Sequence, residues 1–245
     1  MRFDVISLFP SLINSFFEYG VIGKALRSKK IVIQTWNPRD FLDSNNSRVD
    51  DRPYGGGPGM VLLAKPLIDT IEEAKKNSQD PYVILMSPQG KVFESKKAKE
   101  WALKEHLVIV CGRYEGVDQR VIKTIVDEEC SIGDFVVSGG EIPALLVVDS
   151  VSRLLEGILG DPESSKLDSF SKGLLKHPQY TRPEEGPYGN VPKVLLSGDH
   201  ALIRLWQLKQ SLLKTRKVRP DLLEKRQMNK EEKELLDEII SEEKD

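Results

Sequence analysis

Residues 107–116 read LVIVCGRYEG, a run of apolar residues that passes directly into a segment with two glycines. A short apolar run rich in Val and Ile and bounded by Gly is typical of a β-strand and the loop that follows it. The same arrangement occurs upstream, where 82–87 leads into SPQGK (87–91), and downstream, where 132–137 lies inside SIGDFVVSGGE (131–141). This part of the chain therefore predicts three strands, each with a glycine-bearing loop.

Two further apolar runs, at 5–9 and 31–36, bring the number of predicted strands to five. Stretches with helical spacing of apolar residues follow or separate the strands. These predicted helices cover 11–26, 66–76, 95–106, 117–126 and 141–159. Strands that alternate with helices predict an α/β fold with a mostly parallel sheet flanked by helices.

The three glycine-bearing loops adjoin predicted strands, and open parallel sheets bind ligands beyond the carboxyl ends of their strands. Glycine lets the backbone approach a ligand closely, so we expect the loops to line one pocket; the alternative is that each loop is only a turn. A fourth cluster, RPYGGGPGM (52–60), contains too much Gly and Pro for a helix or a central strand. It predicts a loop without flanking strands of its own, either functional or a plain surface loop.

The regular pattern ends after 159. The segment GDPESSKLDSFSKGLLK (160–176) has no sustained apolar period and is interpreted as a linker. It separates an α/β domain at 1–159 from a small helical domain at 177–245. Helices are predicted in the latter at 199–214, 221–228 and 230–241.

The charges are unevenly distributed although the formal net charge is only −2. Residues 204–226 hold eight Lys or Arg and two acidic residues, whereas 230–245 hold three Lys and eight acidic residues. A basic segment of this kind can face nucleic-acid phosphates. The alternative is a charged helix face that is simply solvated.

The sequence argues against several classes of protein. The longest apolar run, 142–148, is too short to span a bilayer, so we expect no membrane partner. The N-terminus lacks a secretory signal, and the two cysteines form neither a disulfide framework nor a zinc-binding pattern, which indicates a cytoplasmic location. GxGxxG, Walker, HExxH and GxSxG motifs do not occur, which argues against standard hydride transfer, P-loop phosphoryl transfer and zinc proteolysis.

Few side chains qualify as an acid or a base. His106 ends a predicted helix and is expected to cap it or to be solvated, and His177 and His200 receive no role. Asp168 lies in the irregular 160–176 segment, where a polar loop between domains can close over a cleft. The alternative for Asp168 is an ordinary solvated carboxylate.

Nine motifs occur in order along the chain: VDDRPYGGGPGM, MSPQGK, CGRYEGVDQRV, SIGDFVVSGGEIPA, DSVSR, DSFSKGLL, HPQYTRP, VPKVLLSGDHA and RLWQLKQSL. Together they closely resemble the bacterial tRNA (guanine-N1)-methyltransferases, which belong to the SPOUT class of trefoil-knotted methyltransferases. The resemblance extends from residue 1 to about residue 227, and the combination is far more specific than any single loop.

This resemblance implies methyl transfer from S-adenosylmethionine to N1 of guanosine 37, the nucleotide 3′ of the tRNA anticodon. It implies the anticodon stem-loop of tRNA as the nucleic-acid partner, rather than DNA, and a homodimer whose active site uses both subunits. It also implies that the three loops form a deep trefoil knot at the C-terminal end of the α/β domain. Two alternatives stay open: a knotted methyltransferase that acts on another RNA base or on ribose 2′-OH, and a non-catalytic RNA-binding module.

The resemblance also carries over individual site residues. Arg153 and Asp168 match the catalytic arginine and aspartate of the family, and no metal ligand is expected. Two positions depart from the family pattern: Phe135 stands where relatives often carry tyrosine, and Gln119 replaces a common acid. The residues expected to contact S-adenosylmethionine are Ser87, Pro88, Gln89, Gly112, Tyr114, Glu115, Gly116, Ile132, Gly133, Asp134, Phe135, Val136, Val137, Gly139, Gly140 and Pro143.

Overall fold

A computed structural model describes residues 1–42, 48–161 and 163–243, and the chain divides into two compact units, Met1–Asp161 and Pro162–Asp245. The strands of the first unit are β1 (Arg2–Ile6), β2 (Val32–Trp36), β3 (Asp50–Asp51), β4 (Val61–Leu62), β5 (Pro81–Val92), β6 (His106–Cys111) and β7 (Glu128–Ser131). Its helices are α1 (Pro10–Phe16), α2 (Gly20–Arg27), α3 (Ala64–Lys75), α4 (Ser95–Trp101), α5 (Gln119–Ile125) and α6 (Glu141–Ser152), with a 3₁₀ helix at Pro38–Phe41.

Five strands form a parallel sheet in the order β2-β1-β6-β5-β7, which confirms the predicted α/β fold with a mostly parallel sheet. β6 is buried along its whole length, as expected for a central strand covered by helices on both faces. Its successive residues point to opposite faces: Leu107 and Ile109 belong to one hydrophobic core, and Val108 and Val110 belong to the other. Helices α1, α2, α4 and α6 cover the first core, and α3 and α5 cover the second.

The prediction of a strand at 132–137 is wrong. The strand in this region is β7, which lies immediately upstream, and 132–137 is an irregular loop. β7 is an edge strand that carries Glu128 and Glu129, and edge strands commonly carry charged side chains. Because of these charged residues, β7 lacks the apolar pattern from which a strand is predicted. Phe135 and Val136 gave residues 132–137 such a pattern, but both side chains are exposed in the structure.

Two predicted helices also differ from the structure. The 11–26 helix is two helices, because the backbone turns at Gly20, where α2 begins with a φ of 70°. The 95–106 helix is shorter than predicted, and His106 neither caps it nor is solvated. His106 begins β6, is fully buried and places Nε2 2.6 Å from the carboxylate of Asp4.

The glycine cluster at 52–60 lies at the tip of a short antiparallel hairpin formed by β3 and β4. The expectation that it has no flanking strands is therefore wrong. Each of the two strands has only two residues, which is too short for an alternating pattern to be visible in the sequence.

The second unit is built from the helices α7 (Glu163–Lys166), α8 (Lys193–Leu196), α9 (His200–Val218), α10 (Pro220–Glu224) and α11 (Lys230–Glu242). The side chain of Asp199 accepts hydrogen bonds from the first backbone N–H groups of α9, which fixes the start of this helix. The buried core of the unit consists of Leu174, Leu212, Leu235 and Ile239. In the described parts of both units, no helix offers an apolar stretch that would reach across a bilayer.

Candidate active site

A cavity of about 430 Å³ lies beyond the carboxyl ends of β6 and β7 and beside the point where residues 87–90 interrupt β5. Its wall is formed mainly by three loops, which we call the first (87–90), second (112–116) and third (132–140) loops. Small-molecule and cofactor sites typically have volumes of roughly 300–1,000 Å³. The structure therefore brings the three predicted glycine-bearing segments to one cavity of suitable size.

The first loop interrupts β5, which leaves the sheet and then rejoins it. Met86 and Lys91 both pair with Cys130 of β7, so the four residues between them leave the sheet. Gly90 lies against β7, where a Cβ atom would be 2.3 Å from the backbone of that strand. A glycine is needed there for the chain to rejoin the sheet, and the rest of the loop is left at the cavity.

The second loop has a strained backbone that neighbouring residues hold in place. Tyr114 has a φ of 60°, a left-handed conformation that costs a non-glycine residue roughly 1–2 kcal/mol. The β3–β4 hairpin supports this loop: Glu115 N–H donates to the Met60 carbonyl at 2.9 Å, and Leu62 N–H donates to the Gly116 carbonyl at 3.0 Å. Strain that the surroundings maintain in this way is typical of ligand sites.

The third loop lies directly on the second. Gly140 N–H donates to the Gly112 carbonyl at 2.8 Å, and a Cβ atom on Gly140 would be 2.7 Å from Cα of Cys111. Gly139 forms an antiparallel bridge with Arg113, whose side chain fills the space that a Cβ atom would need. These glycines allow the two loops to pack backbone against backbone.

Fourteen of the sixteen residues assigned to the cofactor by resemblance line the cavity. They are Ser87, Pro88, Gln89, Gly112, Tyr114, Glu115, Gly116, Ile132, Phe135, Val136, Val137, Gly139, Gly140 and Pro143. Gly133 and Asp134 lie in the third loop but do not line the cavity. Sequence reasoning did not assign Arg113, Glu129 and Ser138, which also line it. Arg113 and Ser138 lie inside the motifs CGRYEGVDQRV and SIGDFVVSGGEIPA, so the sequence motifs already pointed to the segments that contain them.

Neither of the two cysteines near the cavity is a nucleophile. Burial raises the pKa of the Cys111 thiol well above its usual value, and the negative charge of Glu141 raises it further. Burial also raises the pKa of the Cys130 thiol, to about 12. Both thiols are protonated at neutral pH, and a protonated thiol reacts poorly with an electrophile. The surroundings of both cysteines therefore disfavour the thiolate form that would react with a bound ligand.

The two residues predicted to be catalytic belong to different units. Arg153 is exposed and lies directly after α6. The helix predicted at 141–159 is shorter in the structure, where it ends at Ser152. Asp168 lies in an irregular turn of the second unit. Its side chain is 34% exposed, and one carboxylate oxygen is 3.5 Å from Nζ of Lys176.

Neighbouring acidic residues neutralise much of the basic segment at 204–226. Five of its eight basic residues form ion pairs, most of them with α11. The pairs are Arg204–Glu231, Lys209–Glu238, Arg216–Glu243, Arg219–Asp221 and Arg226–Glu232. Lys214 and Lys217 are exposed and make no ion pair with a carboxylate in the described part of the chain. The surface that is open to phosphates is therefore smaller than the sequence suggested.

A parallel sheet with a glycine-lined cavity at the carboxyl side of its strands is typical of the α/β proteins that bind a small-molecule ligand at this edge of the sheet. Within that class, the chain belongs to the tRNA (Guanine-1)-methyltransferase TrmD family, whose family model matches residues 1–225. This match confirms the resemblance found in the sequence.

Relatives named tRNA (guanine-N(1)-)-methyltransferase match almost the whole chain. The chain is 53% identical over 240 residues to the protein of Methylococcus capsulatus, covering 98% of this chain and 96% of that protein. It is 52% identical over 243 residues to the protein of Vibrio campbellii, with coverages of 99% and 98%. It is 50% identical over 241 residues to the protein of Shewanella sediminis, with coverages of 98% and 100%.

Proposed function

We propose that this protein transfers a methyl group from S-adenosylmethionine to N1 of guanosine 37 in tRNA. The observation that carries the proposal is the glycine-lined cavity at the carboxyl side of the parallel strands, in a chain of this family. The relatives' names identify tRNA and the N1 atom of guanine. We place the protein in the cytoplasm, where tRNA is found and where the two free thiols stay reduced.

The residues of the cavity fit S-adenosylmethionine. Glycines of the second and third loops line the cavity, and a residue without a side chain lets the backbone approach a ligand closely. Phe135 and Val137 give the cavity apolar surface of the kind that an adenine ring packs against, and Glu115 and Glu129 give its wall negative charge, which suits a cationic ligand. When bound, S-adenosylmethionine supplies an electrophilic methyl group on that sulfur.

Asp168 is the base in this reaction. N1 of guanine carries a proton, which must leave as the new bond from N1 to the methyl carbon forms. Methylation makes this proton strongly acidic, so a carboxylate within hydrogen-bonding reach accepts it as the methyl group arrives. The proton moves to a carboxylate oxygen of Asp168; the bound cofactor would supply the methyl group with cleavage of its carbon–sulfur bond.

Arg153 stabilises the charge that develops on the base. Loss of the N1 proton places negative charge on O6 of guanine, and a fixed guanidinium group beside this oxygen lowers the barrier. The same contact orients the ring toward the methyl group. Because a stacked base cannot enter the cavity, the guanosine flips out of its stack.

The tRNA phosphates bind the face of α9 that is turned away from α11. Residues 203, 207, 210, 214 and 217 are spaced by four, three, four and three, so they share one helix face. This face is opposite to Leu212, Lys209 and Arg216, which contact the core or α11. Lys214 and Lys217 supply positive charge there.

We also propose a homodimer in which both subunits contribute to the active site. The first unit exposes a group of large apolar residues at and next to α1, which suits burial against a second copy. The group consists of Phe9, Leu12, Phe16 and Tyr19.

The three loops are further proposed to form the trefoil knot of the SPOUT class. Two contacts support this proposal: the hydrogen bond from Gly140 to Gly112, and the close approach of Gly140 to the backbone of Cys111. Both contacts hold the third loop directly against the end of β6.

Mass spectrometry of digested tRNA tests the reaction. Unmodified tRNA with guanosine at position 37 is incubated with the protein and S-adenosylmethionine that is isotopically labelled in the methyl group. We expect the label in 1-methylguanosine, and no label when position 37 is adenosine. Label in a 2′-O-methyl nucleoside or another base would instead support a different knotted methyltransferase, and tRNA binding without label would support a non-catalytic RNA-binding module.

A further inference from the structure

A buried carboxylate connects the loops of the cavity to the end of β1. Glu141, the first residue of α6, has a side chain that is 1% exposed. Its Oε1 accepts a hydrogen bond from Ser7 Oγ at 2.7 Å. Its Oε2 is 2.9 Å from Nε of Arg113, and the two atoms form an ion pair without the alignment of a hydrogen bond. Glu141 thus joins residues from two separate strand ends.

Arg113 extends this connection to the third loop. Its Nη1 donates a hydrogen bond to the Ser138 carbonyl at 3.1 Å, and its guanidinium carbon is 4.6 Å from the centre of the Phe9 ring. Phe9 N–H in turn donates to Ser7 Oγ at 2.9 Å. The contacts form a closed circuit in which Glu141 fixes the guanidinium group that holds the backbone of the third loop.

The position of the third loop depends on contacts made by its neighbours. Its last two residues, Gly139 and Gly140, have no side chains with which to pack, so their neighbours determine their position. Burying a carboxylate carries a desolvation cost, and a well-packed apolar pair is often at least as stable as a buried ion pair. A buried pair at this place therefore suits a role in orientation better than a role in stability.

We propose that Glu141 is a positioning residue for the cofactor site: through Arg113 it holds the third loop against the second in the geometry that binds S-adenosylmethionine. The proposal rests on the function proposed above, because it takes S-adenosylmethionine as the ligand of the cavity. It assigns a role to three residues, Ser7, Arg113 and Glu141, that neither sequence reasoning nor the family resemblance singled out.

The test is calorimetric titration of S-adenosylmethionine into the wild-type protein and Glu141→Gln, with steady-state kinetics on tRNA. Glutamine keeps an acceptor for Ser7 but removes the charge that faces Arg113. We expect the dissociation constant and KM for S-adenosylmethionine to rise about tenfold, as when the binding-competent loop arrangement falls to a tenth of the population. At saturating substrates kcat should change less than about threefold.

Asp4→Asn is the matched control. Asp4 is also a fully buried carboxylate that pairs with an arginine, Arg2, but it is the middle residue of β1, and its partners Arg2 and His106 begin β1 and β6, at the ends of these strands away from the cavity. We expect this variant to lose stability and to keep its affinity for S-adenosylmethionine. If Asp4→Asn weakens binding as much as Glu141→Gln does, the effect is general destabilisation and the positioning role is overturned.

A double-mutant cycle tests whether Glu141 acts through Arg113. The expected result is that Glu141→Gln combined with Arg113→Gln binds no more weakly than Arg113→Gln alone, whereas additive losses would overturn the proposal. Should Glu141→Gln fail to fold, Ser7→Ala removes two hydrogen bonds of the circuit, the one to Glu141 and the one from Phe9 N–H, and should weaken binding at least about threefold. Wild-type affinity in Ser7→Ala would then overturn the positioning role. A wild-type protein that does not bind S-adenosylmethionine would overturn the proposed function itself, which is a distinct result.

Discussion

Gly140 lies so close to Cys111 that a Cβ atom on Gly140 would be 2.7 Å from Cα of Cys111. The same glycine donates its N–H to the Gly112 carbonyl at 2.8 Å. These two contacts set the distance between the second and third loops, because both involve backbone atoms that cannot rotate away. A side chain at position 140 must therefore push the loops apart and change the shape of the cavity.

Gly140→Ala is accordingly expected to weaken S-adenosylmethionine binding at least about tenfold. Forcing one extra carbon into a packed contact also typically costs 1–3 kcal/mol, so we expect the free energy of unfolding to fall by about 2 kcal/mol. Calorimetric titration and urea unfolding measure the two effects. Gly160→Ala is the control, because a Cβ atom there meets nothing within 4 Å. Wild-type affinity in Gly140→Ala would show that the loop spacing does not determine binding.

Asp168→Asn replaces the proton-accepting carboxylate with an amide of the same size, which cannot act as a general base. General-base catalysis contributes about 10²- to 10⁴-fold, so we expect single-turnover methylation of tRNA to slow at least about 100-fold, with normal affinity for S-adenosylmethionine. Lys176→Met is the control, since it removes one interaction of Asp168, the contact with Nζ of Lys176, but leaves the carboxylate. Equal loss of rate in both variants would mean that the ion pair, rather than the base, is what the reaction needs.

The sheet and its cavity could be predicted because the sequence features that indicate them, apolar runs and glycines, lie close together along the chain. Four of the five predicted strands overlap β1, β2, β5 and β6, since short apolar runs rich in Val and Ile and bounded by Gly, Pro or Ser are visible without any knowledge of the fold. β7 escaped prediction because an edge strand tolerates charged residues. The apolar residues that follow it, such as Val137, line the cavity instead of the core. An apolar run in this region therefore marks the wall of the cavity, and the apolar pattern places the strand too far along the chain.

Long-range contacts could not be predicted in this way. The hydrogen bond between Ser7 and Glu141 joins residues 134 positions apart, and only the folded sheet brings them together. The basic and acidic segments were visible in the sequence, but their mutual neutralisation depends on the packing of α9 with α11 through Leu212 and Ile239. The individual site residues came from the family resemblance, because periodicity alone does not assign a role to Arg153.

The face of α9 that carries Lys214 and Lys217 should determine the salt dependence of tRNA binding. Each phosphate contact contributes about 0.9 to the slope of log affinity against log salt, so the double change Lys214→Gln and Lys217→Gln should reduce the slope by up to about 1.8 and raise KM for tRNA. Filter binding over a salt series measures this. Arg204→Gln is the control, because Glu231 already neutralises that arginine. An unchanged slope in the double variant would place the phosphates elsewhere.

Asp4 is expected to make stability depend on pH in the acidic range. Its carboxylate is fully buried and accepts hydrogen bonds from Arg2 and Trp36, with Nε2 of His106 at 2.6 Å. Burial alone would raise the pKa of this carboxyl group, but the hydrogen bonds from His106, Arg2 and Trp36 hold it below its ordinary value of 3.8. A carboxyl group whose pKa is lowered by folding stabilises the fold above its ordinary pKa, and this stabilisation is lost as the pH falls through the lower value.

Asp4→Asn should therefore lower the free energy of unfolding by about 3 kcal/mol near pH 7, the cost of removing one partner of a buried ion pair. The difference from the wild-type protein should shrink when the pH is lowered below 3.8 and through the lower pKa of Asp4, because the wild-type carboxylate is then being protonated as well. Urea unfolding at both pH values measures the two differences. Asp118→Asn is the control: Asp118 pairs with Arg120 at the surface, where an ion pair contributes less than about 1 kcal/mol. If the difference between Asp4→Asn and the wild-type protein is the same at both pH values, the ionised carboxylate of Asp4 does not stabilise the fold.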